Sequence, residues 1–362
     1  MKKRIFSIIL IVNIMACLTS CSTTSTPTGN SAARSQLAET PEVDTINWAR
    51  ANSGNIFVTL ARQKGYFADV GLTVIDHPVN NQLDAMTALG VGRVDVTSGQ
   101  GTNFPLSQIA AGQDFTIVGG YMLQGMYLVA KTGTGWNGPK DLIGKKVAAP
   151  PSTTTLTGPL LDLGYDPIND IKWLEFPTNT DRLTAVIAGE ADYAYLSGDL
   201  LFSVGNIKEV EISAFASDPD LMPAYGCCRM NMRTDFVKKN PITVKLLLKA
   251  LIRAQAYLEA NKEECVGIHA KDIDVTREFV AAYLLNDNYK VSVDPVKNSV
   301  IKTWKIMQAT GFLPASANDI NVEDHINIEL YKTALDEVIA EHYDEYPDFF
   351  DGRLAFFEQY NK

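Results

Sequence analysis

A short alternation of strand and helix that runs once, stops and runs again is the feature that most restricts how this chain can fold. Thr45 to Ala49 is β-prone, and the polar break Asn52-Ser53-Gly54-Asn55 follows it. Ile56, Leu60 and Ala61 then recur at helical spacing up to Gly65, a residue suited to close a helix. Leu72–Ile75, Val94–Thr97 and Phe115–Val118 read as further strands, with helices around Leu83–Leu89 and Pro105–Ala111. The second pass has strands at Lys145–Ala149, Ile171–Leu174 and Ala191–Leu196, with helices after Thr155 and over Arg182–Ala188. Gly92-Arg93-Val94-Asp95 in the first pass matches Gly189-Glu190-Ala191-Asp192 in the second, each between a helix and a strand that ends in Ser-Gly. Such a series predicts an α/β chain of two similar parallel-sheet lobes. The last third differs: Pro241–Ala260 carries a strong amphipathic period, and Glu278–Leu285, Val300–Ala309 and Ile328–Glu341 suggest more helices, a C-terminal helical block packed on the lobes.

The N-terminus reads as an address. Lys2, Lys3 and Arg4 precede an apolar run from Ile5 to Ala16, too short for a membrane core of about 30 Å. Leu18-Thr19-Ser20-Cys21 resembles the lipobox of bacterial lipoproteins, which implies cleavage before Cys21 and lipidation of its sulfur. The segment 22–42 is rich in Ser and Thr and has no apolar period, so it is expected to be a flexible tether. The expected location is the cell envelope, lipid-anchored and facing the periplasm or the exterior.

Charge narrows the partners. Residues 1–21 carry three basic and no acidic side chains, leaving 29 basic against 42 acidic beyond them. That balance argues against nucleic acid, and contact with the membrane is expected through the anchor only. Cys227, Cys228 and Cys265 are an odd set with two adjacent members, so disulfides are not expected to hold the fold. His77, His269, His325 and His342 form no recognisable catalytic or metal-binding pattern; neither a cofactor, a metal site nor catalysis is expected. A lipid-anchored adhesin would explain the anchor but not the Gly65-Tyr66-Phe67 block.

Ligands of open parallel sheets lie beyond the carboxyl ends of the strands. That rule selects Trp48, Asn52, Ser53, Gly54 and Asn55 after the first strand, and Gln100, Thr102 and Asn103 after the third. In the second pass it selects Ser152, Thr153, Thr154 and Thr155, then Ser197, with Tyr195 on the strand before it. Each loop leads into an expected helix, whose N-terminus favours anions. The Ser152–Thr155 hydroxyls suit either an anion cradle or simple N-capping. Trp48 suits stacking on a flat heterocycle or filling a core, and Arg229 could hold a carboxylate or phosphate by two points.

Ala61-Arg62-Gln63-Lys64-Gly65-Tyr66-Phe67 and the Gly71-Leu72-Thr73-Val74 that follows resemble the opening of solute-binding proteins of the SsuA/THI5-like group, which serve ABC importers for nitrate, sulfonates, taurine and thiamine precursors. Asp141-Leu142-Ile143-Gly144-Lys145-Lys146-Val147 is similar to that group's second-lobe start. The resemblance covers about residues 43–260. It implies a type II periplasmic-binding fold, with lobe 1 begun over 43–125, lobe 2 over 126–222, and a return over 223–362. The crossovers are expected near Gly120–Lys131 and Ser217–Met230. It also implies hinge closure on a small anion, docking to permease and ATPase subunits, and a monomer. A receptor for a thiamine-pyrimidine precursor, or a pyrimidine synthase-like enzyme, is the alternative. Only two cysteines, Cys227 and Cys228, stand where the pyrimidine-synthesising members have a longer Cys run.

Overall fold

The computed structural model describes residues 39–362; the lipobox with Cys21, and the expected tether up to residue 38, lie outside them. The strands, in chain order, are β1 (Thr45–Arg50), β2 (Thr73–Pro78), β3 (Val96–Thr97), β4 (Phe115–Gly120), β5 (Met122–Gln124), β6 (Met126–Lys131), β7 (Lys146–Ala148), β8 (Lys172–Leu174), β9 (Tyr193–Ser197), β10 (Val210–Phe215), β11 (Arg229–Arg233) and β12 (Lys290–Val291). Two five-stranded sheets form, in the orders β2-β1-β3-β11-β4 and β8-β7-β9-β6-β10, with β5 and β12 paired separately. Position by position these are the same topology, so the two passes of the sequence build the same sheet twice.

Both sheets are mixed rather than purely parallel. β11 runs antiparallel to β3 and β4, and β6 antiparallel to β9 and β10. The cause is connectivity. The chain leaves the first sheet at Gly120 and enters the second as β6; it leaves the second at Phe215 and returns as β11. A strand that arrives from the other lobe starts beside the carboxyl ends of its new neighbours and must run away from them. The expected strands occur with bounds within three residues of those observed. Missing from the expectation were β5, β6, β10, β11 and β12, together with the helices Tyr66–Asp69, Leu201–Gly205, Thr234–Lys239, Lys262–Asp272 and Pro347–Asn361.

The paired connectors are one device used twice. Gly92 has φ +75° and Gly189 has φ +79°, the left-handed conformation glycine adopts freely. Arg93 and Val94 N–H both donate to Ala88 O, and Glu190 and Ala191 N–H both donate to Ala185 O. Asp95 N–H donates to Asn47 O while its carboxylate accepts from Asn47 N–H at 2.8 Å. Asp192 N–H donates to Lys146 O while its carboxylate accepts from Lys146 N–H at 2.8 Å. In each lobe the aspartate therefore clamps the third strand to the first.

The C-terminal helices are part of the core rather than an outer support. Helix Pro241–Ala260 buries Leu247, Leu248, Leu251 and Ile252 against the helices Ile56–Gln63 and Ile328–His342. Its Lys245 and Lys249 are nearly buried, and Glu337 reaches both, at 2.6 and 3.1 Å. Glu42 accepts from Thr243 N–H at 2.7 Å and from Ile242 N–H at 3.0 Å, capping this helix from the start of the described chain. The Gly65-Tyr66-Phe67 block docks here too: Phe67 is buried, and the Arg253 guanidinium lies 4.1 Å from the Tyr66 ring centroid.

Candidate functional site

The selected loops of the two lobes touch. Asn103 opens the helix Asn103–Ala110 in the first lobe, and its Nδ2 donates to Ser152 O at 2.7 Å. Its Oδ1 accepts from the Thr154 hydroxyl at 3.4 Å, at the start of the helix Thr154–Asp162 in the second lobe. Two helix N-termini therefore meet at one place. Neither carries a side-chain cap. The Thr102 hydroxyl donates back to Gly226 O and to Cys227 O, and the Thr153 hydroxyl donates to Pro150 O at 2.6 Å. The Thr155 hydroxyl goes to Tyr195 Oη at 2.6 Å. The capping reading thus fails at these helices, and their first N–H groups keep the partial positive charge of the helix end.

Aromatic hydroxyls and thiols surround that meeting point. Tyr225 hydrogen-bonds the Thr154 side chain, and Tyr121 hydrogen-bonds Tyr289. Burial pushes the Tyr121 phenol up to about 12 and raises Tyr195 and Tyr225 further, so all three are neutral donors at physiological pH. Cys227 and Cys228 lie 3.7 Å apart, sulfur to sulfur, and are reduced. Hydrogen bonding within the pair holds Cys228 below the ordinary thiol range; Gly101 N–H and the Arg229 charge add to this.

The remaining candidates separate. Gln100 is buried and accepts from Gly99 N–H at 2.8 Å. Ser197 accepts from Asn179 Nδ2 at 2.8 Å and donates to Asp199. Asn52 and Ser53 are exposed in a tight turn, closed by Gly54 N–H to Ala51 O at 2.9 Å. A Cβ on Gly54 would lie 2.8 Å from Ile273 Cγ2, so this turn requires glycine. Asn55 caps its own helix and donates to Ser98 Oγ at 3.0 Å. Trp48 is 2% exposed in the first core; beside it is a recess of only about 10 Å³, lined by Asn55, Ser98 and Gly99. That space holds one water at most, and no ring could stack there without movement.

Arg229 is fully buried. Its Nη1 donates to Asp294 O at 2.6 Å and its Nη2 to Met122 O at 2.8 Å, while Nε has no partner. Desolvation lowers its pKa to about 10, which still leaves it charged. In this conformation the guanidinium ties the two crossovers together. A cation that the sequence reading did not select, Arg182, packs beneath the Tyr195 strand. It is half-buried, Nη1 donates to Asn179 Oδ1 at 3.2 Å and Tyr195 O at 3.3 Å, and Nε is unpartnered. Its place at the head of an ordinary amphipathic helix gave no signal of this. Among the described residues no group of three His, Cys, Asp or Glu is disposed to hold a metal ion, and no helix is long and apolar enough to cross a membrane.

The family model described as "NMT1/THI5 like" matches residues 52–265. The chain belongs to the NMT1/THI5-like family. Among curated relatives, 4-amino-5-hydroxymethyl-2-methylpyrimidine phosphate synthase THI11 of Saccharomyces cerevisiae is 24% identical over 244 residues, 60% of this chain. The match spans 66% of that relative's length, just under two thirds. Among solved structures, the periplasmic aliphatic sulphonate binding protein SsuA of Escherichia coli superposes with TM-score 0.65 at 17% identity, covering 79% of this chain and 92% of that one. The periplasmic nitrate-binding protein NrtA of Synechocystis PCC 6803 gives 0.65 at 18%, covering 83% and 90%. The alkanesulfonate-binding protein SsuA of Xanthomonas axonopodis pv. citri bound to MOPS gives 0.61 at 17%, covering 79% and 99%. These likenesses establish that this NMT1/THI5-like chain has the type II periplasmic-binding fold.

Proposed function

We propose that this NMT1/THI5-like protein is the lipid-anchored solute-binding component of an ABC importer, which captures a small anion between its lobes and closes on it without chemical change. The observation that carries the reading is the meeting of two uncapped helix N-termini, from different lobes, at Asn103 and Ser152–Thr154. Unpaired N–H groups and two helix dipoles favour negative charge. Solved relatives with the same fold bind sulfonates or nitrate, which makes a sulfonate, taurine or nitrate the first class to try. A thermal-shift screen against these anions, bicarbonate and aminopyrimidines tests it, since ligand that binds only the folded state raises Tm. A saturable shift with an anion supports the reading; no shift with any anion removes it.

The second reading is a receptor for a thiamine-pyrimidine precursor. The yeast relatives and the neutral hydroxyls of Tyr121, Tyr195 and Tyr225 around Cys227 and Cys228 favour it. A shift with aminopyrimidine alone would select this reading over the first. Turnover of such a precursor by the purified protein would instead identify an enzyme.

A further inference from the structure

A second cavity lies apart from the interlobe junction. It is a groove of about 450 Å³ on the hinge, within the size range of small-molecule sites. Residues of both crossovers line it. Gln124 of β5 donates from Nε2 to Pro223 O at 2.6 Å, joining the outgoing crossover to the returning one. One wall is apolar, made by Leu258, Leu284 and Val291. Phe356 of the helix Pro347–Asn361 also lines it.

Three cations face this groove: Lys262, Lys290 and Arg353. The only acid among its lining residues is Glu259, whose carboxylate accepts from Gln255 Nε2 at 2.8 Å on its own helix. The ion pairs of neighbouring cations, Lys297–Glu323 and Arg277–Glu263 among them, do not extend to these three, which lack a carboxylate partner among the described residues. Arg353 is half-buried; its Nη1 donates to Ser292 Oγ at 3.2 Å, and the guanidinium carbon lies 4.5 Å from the Phe356 ring centroid. A guanidinium held over a ring keeps its remaining N–H groups for an acceptor beside the ring. In a chain with 42 acidic and 32 basic side chains, a concave surface with three cations that form no salt bridge among the described residues, and one acid, is a local inversion of charge.

We infer that the hinge groove is a second binding site, separate from the interlobe junction, for a small organic anion with a flat apolar body. The anionic group is held by Arg353, Lys290 and Lys262, and the body lies between Phe356 and the Leu258–Leu284 wall. Neither feature alone defines the ligand. Bare phosphate would leave the apolar wall uncovered, and a neutral hydrocarbon would leave three cations beside a dry surface. Tyr289 separates the groove from the junction: it lines the groove, its hydroxyl bonds Tyr121, and its ring packs where a Cβ on Gly198 would lie 3.0 Å away. The inference does not depend on the importer reading.

Titration calorimetry of the full-length protein with phenyl phosphate and with inorganic phosphate tests it. Phenyl phosphate is expected to bind saturably and about tenfold tighter than inorganic phosphate, as burial of one ring predicts. The exposed pair Lys262→Glu and Lys290→Glu together is expected to abolish that site without lowering Tm, and Arg353→Gln to weaken it about tenfold. Because both lysines are on the surface, the double variant keeps the test valid even if Arg353→Gln folds poorly. Absence of saturable phenyl phosphate binding, or unchanged affinity and stoichiometry in the double variant, overturns the inference. So does equal affinity for the two probes. An anion found by the thermal-shift screen should bind the double variant as it binds the native chain; its loss there would overturn the separateness of the two sites.

Discussion

Replacing Asp95 by Ala removes two hydrogen bonds at once, whereas the equivalent change at Asp192 removes a similar contact in different surroundings. Asp95 is 8% exposed and accepts from Asn47 N–H at 2.8 Å and from Asn47 Nδ2 at 2.9 Å. Asp192 is exposed and accepts only from Lys146 N–H, at 2.8 Å. A hydrogen bond to a charged group contributes about 1.5–3 kcal/mol, and a donor left dry adds its desolvation cost, so Asp95→Ala should cost about 3 kcal/mol. At Asp192 water replaces the lost acceptor, and the cost should be about 0.5 kcal/mol. In a chain of this size each kcal/mol moves Tm by about 2 °C, so scanning calorimetry at pH 7 should show a fall of about 6 °C for Asp95→Ala and about 1 °C for Asp192→Ala. Asp95→Asn keeps an acceptor oxygen and should fall between them. Equal shifts in the two alanine variants would refute the argument that burial, not the motif, sets what the clamp contributes.

Further outcomes follow from other sites. His269 is buried, and desolvation, against the opposing pull of Asp272, pushes its pKa from 6.5 down to about 4. The unfolded chain binds that proton below pH 6.5 and the folded chain does not until about 4, so stability should fall by about 3 kcal/mol as pH drops across this window. A Tm–pH profile of His269→Gln should be flatter there; an equally steep fall would rule His269 out as the cause. Gly352 lies inside the helix Pro347–Asn361 with nothing within 4 Å of an added Cβ, so Gly352→Ala should stabilise by about 0.5–1 kcal/mol in urea unfolding. Gly120→Ala should do the opposite, by several degrees of Tm, because its Cβ would meet Ser292 O at 2.7 Å as well as Asp294 O, and backbone cannot give way there. Asn103→Ala should weaken whichever anion the screen finds by about tenfold, with little change in Tm of the unliganded protein; unchanged affinity would take Asn103 out of the site.

Elements set by nearby residues are legible in the chain itself. The helix Pro241–Ala260 begins and ends at its expected residues because Pro suits the first turn and the apolar period is unbroken. The Gly-x-x-Asp connectors are legible because a left-handed Gly and a strand-opening Asp are close neighbours in the chain. The strands β6 and β11 are not. Their residues, MYLVAK and RMNMR, do not alternate, since both faces of a central strand are covered; only the chain's passage between lobes makes them strands. Arg182 and Arg229 show the same limit at the site. Nothing in their neighbours distinguishes a guanidinium that serves nearby Asn179 and Tyr195 O from one spent on Asp294 O and Met122 O, 65 and 107 positions away.

The sequence alone therefore determined the duplicated α/β lobes, the family and the loops at the strand ends, because these depend on period, turn chemistry and spacing within some fifteen residues. Tertiary structure decided the rest: the reversed fourth strand in each sheet, the two helix ends that face each other uncapped, and the hinge cations that form no salt bridge among the described residues. These arise between segments far apart in the chain, where no local preference acts and only packing selects what meets.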